Sequence, residues 1–138
     1  MPRRPEEVVG MGYILLVDDD PQVVADGVAA LEAEGHTVSS VSTTSEATAT
    51  IHRQTPDVVV LEGMLDGGFA GFELARKLAH QYPALPLVMV TRADEHLSEE
   101  ERDEQDRDGW MPVARFMQKP VSGDVLAYEV GRLVPGGH

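Results

Sequence analysis

Three stretches of the chain are apolar without alternation: YILLV at Tyr13–Val17, the run in DVVVL ending at Leu61, and LPLVMVT over residues 85–91. An alternating strand keeps one face in water. A short continuous apolar run bounded by turn residues reads instead as a strand covered on both faces. A weaker strand is predicted in HTVSSVS over 36–42, and a short one in RFMQ over 115–118.

Helical periodicity fills the gaps between these runs. Asp20 is placed to cap a helix whose first residue is Pro21, with Val24, Gly27, Val28 and Leu31 along one stripe and Gly35 as its stop. Further helices are predicted over 44–53, around the stripe Phe72, Ala75, Leu78 and Ala79 (closed by Pro83), and from Ser122 to about Val134. Five strands alternating with helices, three of them apolar throughout, imply one parallel sheet with helices on both faces.

One region breaks the alternation. In HLSEEERDEQDRDGW, Ser98 and Glu101 have capping-box spacing, which predicts a helix over about 99–108. None of its positions is apolar, so it cannot lie on the sheet through a hydrophobic face. It reads as a solvated face, or as a docking helix for a basic partner with Trp110 and Met111 as anchors.

Composition narrows the function classes. The chain has 138 residues, 42% of them hydrophobic, which suits one domain with one core. We assign 1–12 and 135–138 as tails around a domain at 13–134. The net charge of −13, from 24 acids against 11 Lys and Arg, argues against binding to nucleic acid or anionic lipid. No cysteine is present, which excludes thiol chemistry and zinc–thiolate sites. No apolar run approaches a membrane span or a signal peptide, so a cytoplasmic protein is expected. The histidines show no ligand spacing, no glycine-rich nucleotide motif occurs, and no nucleophile stands beside a base; an enzyme is not expected.

Candidate chemistry gathers at the strand ends. In an open parallel sheet, ligands bind at the carboxyl ends of the strands. Asp18, Asp19 and Asp20 follow the first strand there and Glu62 follows the third; Thr91 ends the fourth and Lys119 follows the fifth. Acids this close call for a cation, and hard oxygen ligands suit Mg²⁺. Lys119 would neutralise an anion as a point charge.

With ILLVDDDP, PDVVVLEGML…GFEL, LVMVT and KP in view, the chain resembles the receiver domain of bacterial two-component response regulators over about residues 12–134. The resemblance implies a flavodoxin-like (βα)5 fold: a single α/β domain, doubly wound on a five-stranded parallel sheet, here with an acidic extension between the fourth and fifth strands. It also implies that Asp18 and Asp19 hold Mg²⁺ together with the acid at position 62, and that the Met64 backbone carbonyl completes the metal shell. Thr91 and Lys119 would contact the phosphoryl group, Phe116 would be the aromatic switch residue with Thr91, and the Lys119–Pro120 peptide would be cis.

Glu62 stands where the family has its phospho-accepting aspartate. The extra methylene moves the carboxylate outward by roughly 1.5 Å, and a misplacement near 1 Å can cost about 100-fold in reactivity. It also brings a charge of about −1, against about −2 for a phosphoryl group, toward Lys119 and Thr91. Other departures are Arg92 beside Thr91, where the family is usually small, and Asp66 in place of a common proline. Arg92 reads as solvent-facing or paired with an acid, or as a screen against phosphodonors; Asp66 reads as a turn residue or an added metal ligand.

The expectation is a stand-alone receiver-like signalling module of a phosphorelay, not phosphorylated in the usual way. Only PGGH follows Val134, so it would act on a separate protein, a sensor kinase or a downstream effector, with a homodimer also allowed. The alternative is a Mg²⁺-dependent phospho-accepting response regulator with an atypical site.

Overall fold

The computed structural model describes residues 11–92 and 112–136. Its elements, in chain order, are β1 (Tyr13–Val17), α1 (Pro21–Ala33), β2 (Thr37–Val41), α2 (Thr44–Arg53), β3 (Val58–Leu61), α3 (Ala70–Gln81), β4 (Leu87–Thr91), β5 (Arg115–Gln118) and α4 (Gly123–Gly131). All strand pairs are parallel and the sheet order is β2-β1-β3-β4-β5, the doubly wound order expected of a flavodoxin-like fold. The helix expected over 99–108, with Trp110 and Met111, lies outside the described residues.

The apolar runs became the three inner strands. β3 and β4 are buried at every position and β1 at all but its first, whereas the edge strands β2 and β5 are only partly covered. Alternate strand residues feed two cores. Leu15, Val17, Val59, Leu61, Leu87 and Met89 pack with Ala47, Ile51, Phe72, Ala75 and Leu78 of α2 and α3. Ile14, Leu16, Val58, Val60, Val88 and Val90 pack with Leu31, Leu126 and Val130 of α1 and α4. A fully buried Leu, Ile or Val stabilises by about 1.5–3 kcal/mol relative to exposure.

Local chemistry sets most helix boundaries. Asp20 accepts from the Gln22 and Val23 amides and Pro21 is the first residue of α1, while Gly35 (φ 95°) turns the chain out after it. Thr43 caps α2 by accepting from the Glu46 amide, and the Glu46 carboxylate accepts in return from the Ser42 amide and the Ser42 and Thr43 hydroxyls. Those donors hold the exposed Glu46 carboxyl below its ordinary value. Ser122 caps α4 through the Val125 amide.

Two boundaries depart from the sequence expectation. β4 starts at Leu87 rather than Leu85: Leu85 donates instead to the Tyr82 carbonyl in a turn, and Pro86 has no N–H to give a ladder. α4 ends at Gly131, short of Val134, in a tightened turn in which Leu133 donates to the Val130 carbonyl. Pro135 follows, a residue that cannot continue a helix.

Candidate functional site at the carboxyl end of the sheet

The strand ladders run into the site. Val17 is in register with Leu61 and Leu61 with Met89, while Thr91 is in register with Gln118. One residue further on, the Asp18 amide donates to the Val41 carbonyl, the Glu62 amide to the Val17 carbonyl and the Lys119 amide to the Thr91 carbonyl. Backbone pairing therefore brings Asp18, Glu62, Thr91 and Lys119 to one edge from four strands. The Lys119–Pro120 peptide is cis.

These side chains form one connected cluster. Lys119 Nζ lies 2.8 Å from Asp18 Oδ2 and 2.8 Å from Glu62 Oε1. The remaining carboxylate oxygens are also engaged: Asp18 Oδ1 accepts from the Asp20 amide at 2.9 Å, and Glu62 Oε2 from the Met64 amide at 2.9 Å. The Thr91 hydroxyl adds a hydrogen bond to the Glu62 side chain. The cluster is nearly dry, with side-chain exposures of 3% for Asp18, 2% for Glu62 and 14% for Lys119.

Burial raises the Asp18 carboxyl above its ordinary value, and the hydrogen bonds from Lys119 and the Asp20 amide only partly offset it. Burial also opposes the charge on Glu62. There, the Lys119 hydrogen bond, the Met64 amide, the Thr91 hydroxyl and the Lys119 charge together outweigh it, and the carboxyl lies below its ordinary value. For Lys119, desolvation disfavours the ammonium, but the two carboxylates overcome this and raise its value. Both shifts favour the charged pair, Glu62 carboxylate against Lys119 ammonium.

The loop after β3 is fixed by contact with α3 rather than by a cap. Phe69, which precedes α3, makes no side-chain capping bond; instead the Phe72 amide donates to the Gly63 carbonyl. A Cβ at Gly71 would overlap the Glu62 carbonyl oxygen, so only glycine lets the helix start approach this closely. Further out, Asp66 adopts φ 57° and accepts from the Thr44 hydroxyl at 2.7 Å. It is a turn residue tied to the start of α2. Arg92 is solvent-exposed, and Phe116 is half-buried against the core shared with α2 and α3.

The Mg²⁺ shell expected from the sequence is not assembled. Asp19 is exposed, and among the described residues no three acids or histidines meet as a metal-holding group. The donor chemistry would suit a hard cation, but an ammonium stands between the two buried carboxylates and all four of their oxygens already accept hydrogen bonds from nitrogen. As arranged, these residues do not fit the ion.

The Met64 and Asp20 amides as donors had no individual sequence signal. Their shared pattern did: in both cases a carboxylate at a strand tip accepts from the amide two residues on, the habit of acidic residues that open turns.

With this fold and site in hand, comparisons with known proteins agree. Residues 14–128 match the family described as "Response regulator receiver domain". The chain is 40% identical over 82 residues to the Mycobacterium tuberculosis protein named "Probable transcriptional regulatory protein TcrX", covering 59% of this chain and 34% of that protein. It is 28% identical over 116 residues to the Streptomyces coelicolor transcriptional regulatory protein AfsQ1, covering 84% and 48%. The chain therefore spans about a third to a half of these curated relatives. Among solved structures it is similar to a CheY-like response regulator receiver domain protein from Methanospirillum hungatei, with a TM-score of 0.72 and 25% identity over 87% of this chain and 90% of that one. Among the described residues, no helix is long and apolar enough to cross a membrane. Strand order, strand-tip cluster and family match converge: this chain belongs to the receiver domain family of two-component response regulators, which are signalling modules.

Proposed function

We propose that this receiver signals through protein contacts without phosphorylation at position 62, with the Glu62 carboxylate as a built-in partial substitute for a phosphorylated aspartate. One observation carries the reading. Glu62 already accepts from Lys119 at 2.8 Å and from the Thr91 hydroxyl, the two groups that the resemblance assigns to the phosphoryl group.

Physical chemistry supports it from two sides. A nucleophilic carboxylate needs an oxygen free to approach phosphorus in line, within a tolerance near 1 Å, whereas both Glu62 oxygens are committed to donors inside the fold. As a charge, Glu62 supplies about −1 where phosphorylation would supply about −2. The half-buried placing of Phe116 against the core accords with a settled switch. The partner would be a sensor kinase or a downstream effector in the cytoplasm, met through a surface complementary to a net charge of −13. The receiver itself would make no contact with nucleic acid; transcriptional regulation is named for the longer relatives.

Acetyl phosphate with Mg²⁺, followed by intact mass, tests the reading. The wild-type protein is expected to gain no phosphoryl group, and Glu62→Asp to gain one. A phosphoryl group mapped to Glu62 in the wild type would replace this reading with the phospho-accepting one.

A further inference from the structure

We propose that Lys119 is the resident counter-ion of this site, so that a tethered ammonium bridges the Asp18–Glu62 pair and offsets part of its charge, and Mg²⁺ is not part of the resting module. Lys119 Nζ makes equal 2.8 Å contacts to one oxygen of each carboxylate. The other two oxygens each take a backbone amide at 2.9 Å. Every acceptor oxygen thus has a donor, and the cluster carries net charge −1.

Three physical arguments favour the ammonium over the free ion. Mg²⁺ requires near-octahedral oxygen ligands at about 2.0–2.1 Å and dehydrates reluctantly, whereas both carboxylates are held at hydrogen-bond length around nitrogen. The ammonium is attached to the chain, so it gives up no translational freedom on entering the site, as a free ion must. Its backbone is itself pinned, through the Lys119 amide on the Thr91 carbonyl at 2.9 Å.

With one methylene more than aspartate, the position-62 carboxylate meets Lys119 with Oε1 while Oε2 keeps the Met64 amide. The third acid of the sequence-expected shell, Asp19, is exposed.

The inference concerns the same site as the proposed signalling role but is separable from it. Mg²⁺ titration by calorimetry, with thermal melts at millimolar Mg²⁺, would be run on wild type, Lys119→Met and Glu62→Asp. Wild type is expected to show neither saturable heat nor a melting shift. Glu62→Asp shortens the carboxylate that engages Lys119 and should bind Mg²⁺ at least about ten-fold more tightly, raising its melting temperature by mass action. Lys119→Met, which removes a positive charge, should do the same; if it does not fold, Glu62→Asp carries the test alone. Saturable millimolar binding by wild type, or no gain in Glu62→Asp, would overturn the counter-ion. Were wild type to bind Mg²⁺ yet take no phosphoryl group from acetyl phosphate, the signalling reading would stand and this one would fall.

Discussion

The two ends of the sheet solve the problem of polar groups at strand tips in different ways. At the amino end, two polar side chains each accept from a backbone amide: Asp57 from the Tyr13 amide at 2.8 Å, and His36 Nδ1 from the Gly12 amide at 3.0 Å. Around Asp57 lies an apolar groove lined by Pro56, Tyr82, Pro86 and Leu133. At the carboxyl end, three ionisable groups and a hydroxyl are interlocked, and Lys119 is the member both buried carboxylates share. The amino end closes a fold. The carboxyl end stores charge, and buried charge is stable only while every partner is present.

The comparison breaks most decisively at Lys119. Lys119→Met leaves two buried carboxylates without a cation and is expected to cost about 3–5 kcal/mol in urea unfolding. A loss no larger than that of an amino-end variant would mean the charges are not interdependent.

Glu62→Gln sharpens the same point through pH. Near neutrality it should cost about 1.5–3 kcal/mol, the scale of a hydrogen bond to a charged group. The folded Glu62 carboxyl lies below its ordinary 4.5, so its contribution is fully present above that pH and is lost as pH falls through the lower folded value. The stability gap between wild type and variant should therefore close in acid, measured by melts from pH 7 downward. Asp18, raised above its ordinary 3.8 by burial and in smaller part by the Glu62 charge, acts in the opposite sense, and in the variant it loses that smaller part of its shift. A gap that stayed constant would remove the charge from the explanation.

The smallest effect is expected at the other end. Asp57→Ala deprives the Tyr13 amide of its acceptor and should cost about 1 kcal/mol. It should also leave acetyl-phosphate behaviour and Mg²⁺ response as in the wild type. A change in either would show the two ends to be coupled.

Much of the fold was legible because covered strands cannot alternate. Val58, Val59, Val60 and Leu61 face two cores and so had to be apolar, and the acid that follows had to mark the sheet edge. Helix starts with a side-chain cap, at Asp20, Thr43 and Ser122, were equally readable. The start of α3 was not, because it depends on Gly71 meeting the Glu62 carbonyl across the loop, a contact with no local pattern. The site residues were readable as a set and not as a network. Strand order carries Asp18, Glu62, Thr91 and Lys119 to one edge, but the side-chain conformations that let Lys119 join both acids are a tertiary property. Counting acids suggested a free cation among them; in the structure the Lys119 ammonium lies between Asp18 and Glu62.

The central claim is that Glu62 already occupies the place and the donors of a phosphoryl group. Amide NMR spectra with and without beryllofluoride, a phosphoryl mimic, and Mg²⁺ test it most directly. The wild-type amides of Met64, Thr91 and Lys119 should not move, while those of Glu62→Asp should shift and saturate. Saturable shifts at those three amides in the wild type would contradict the claim.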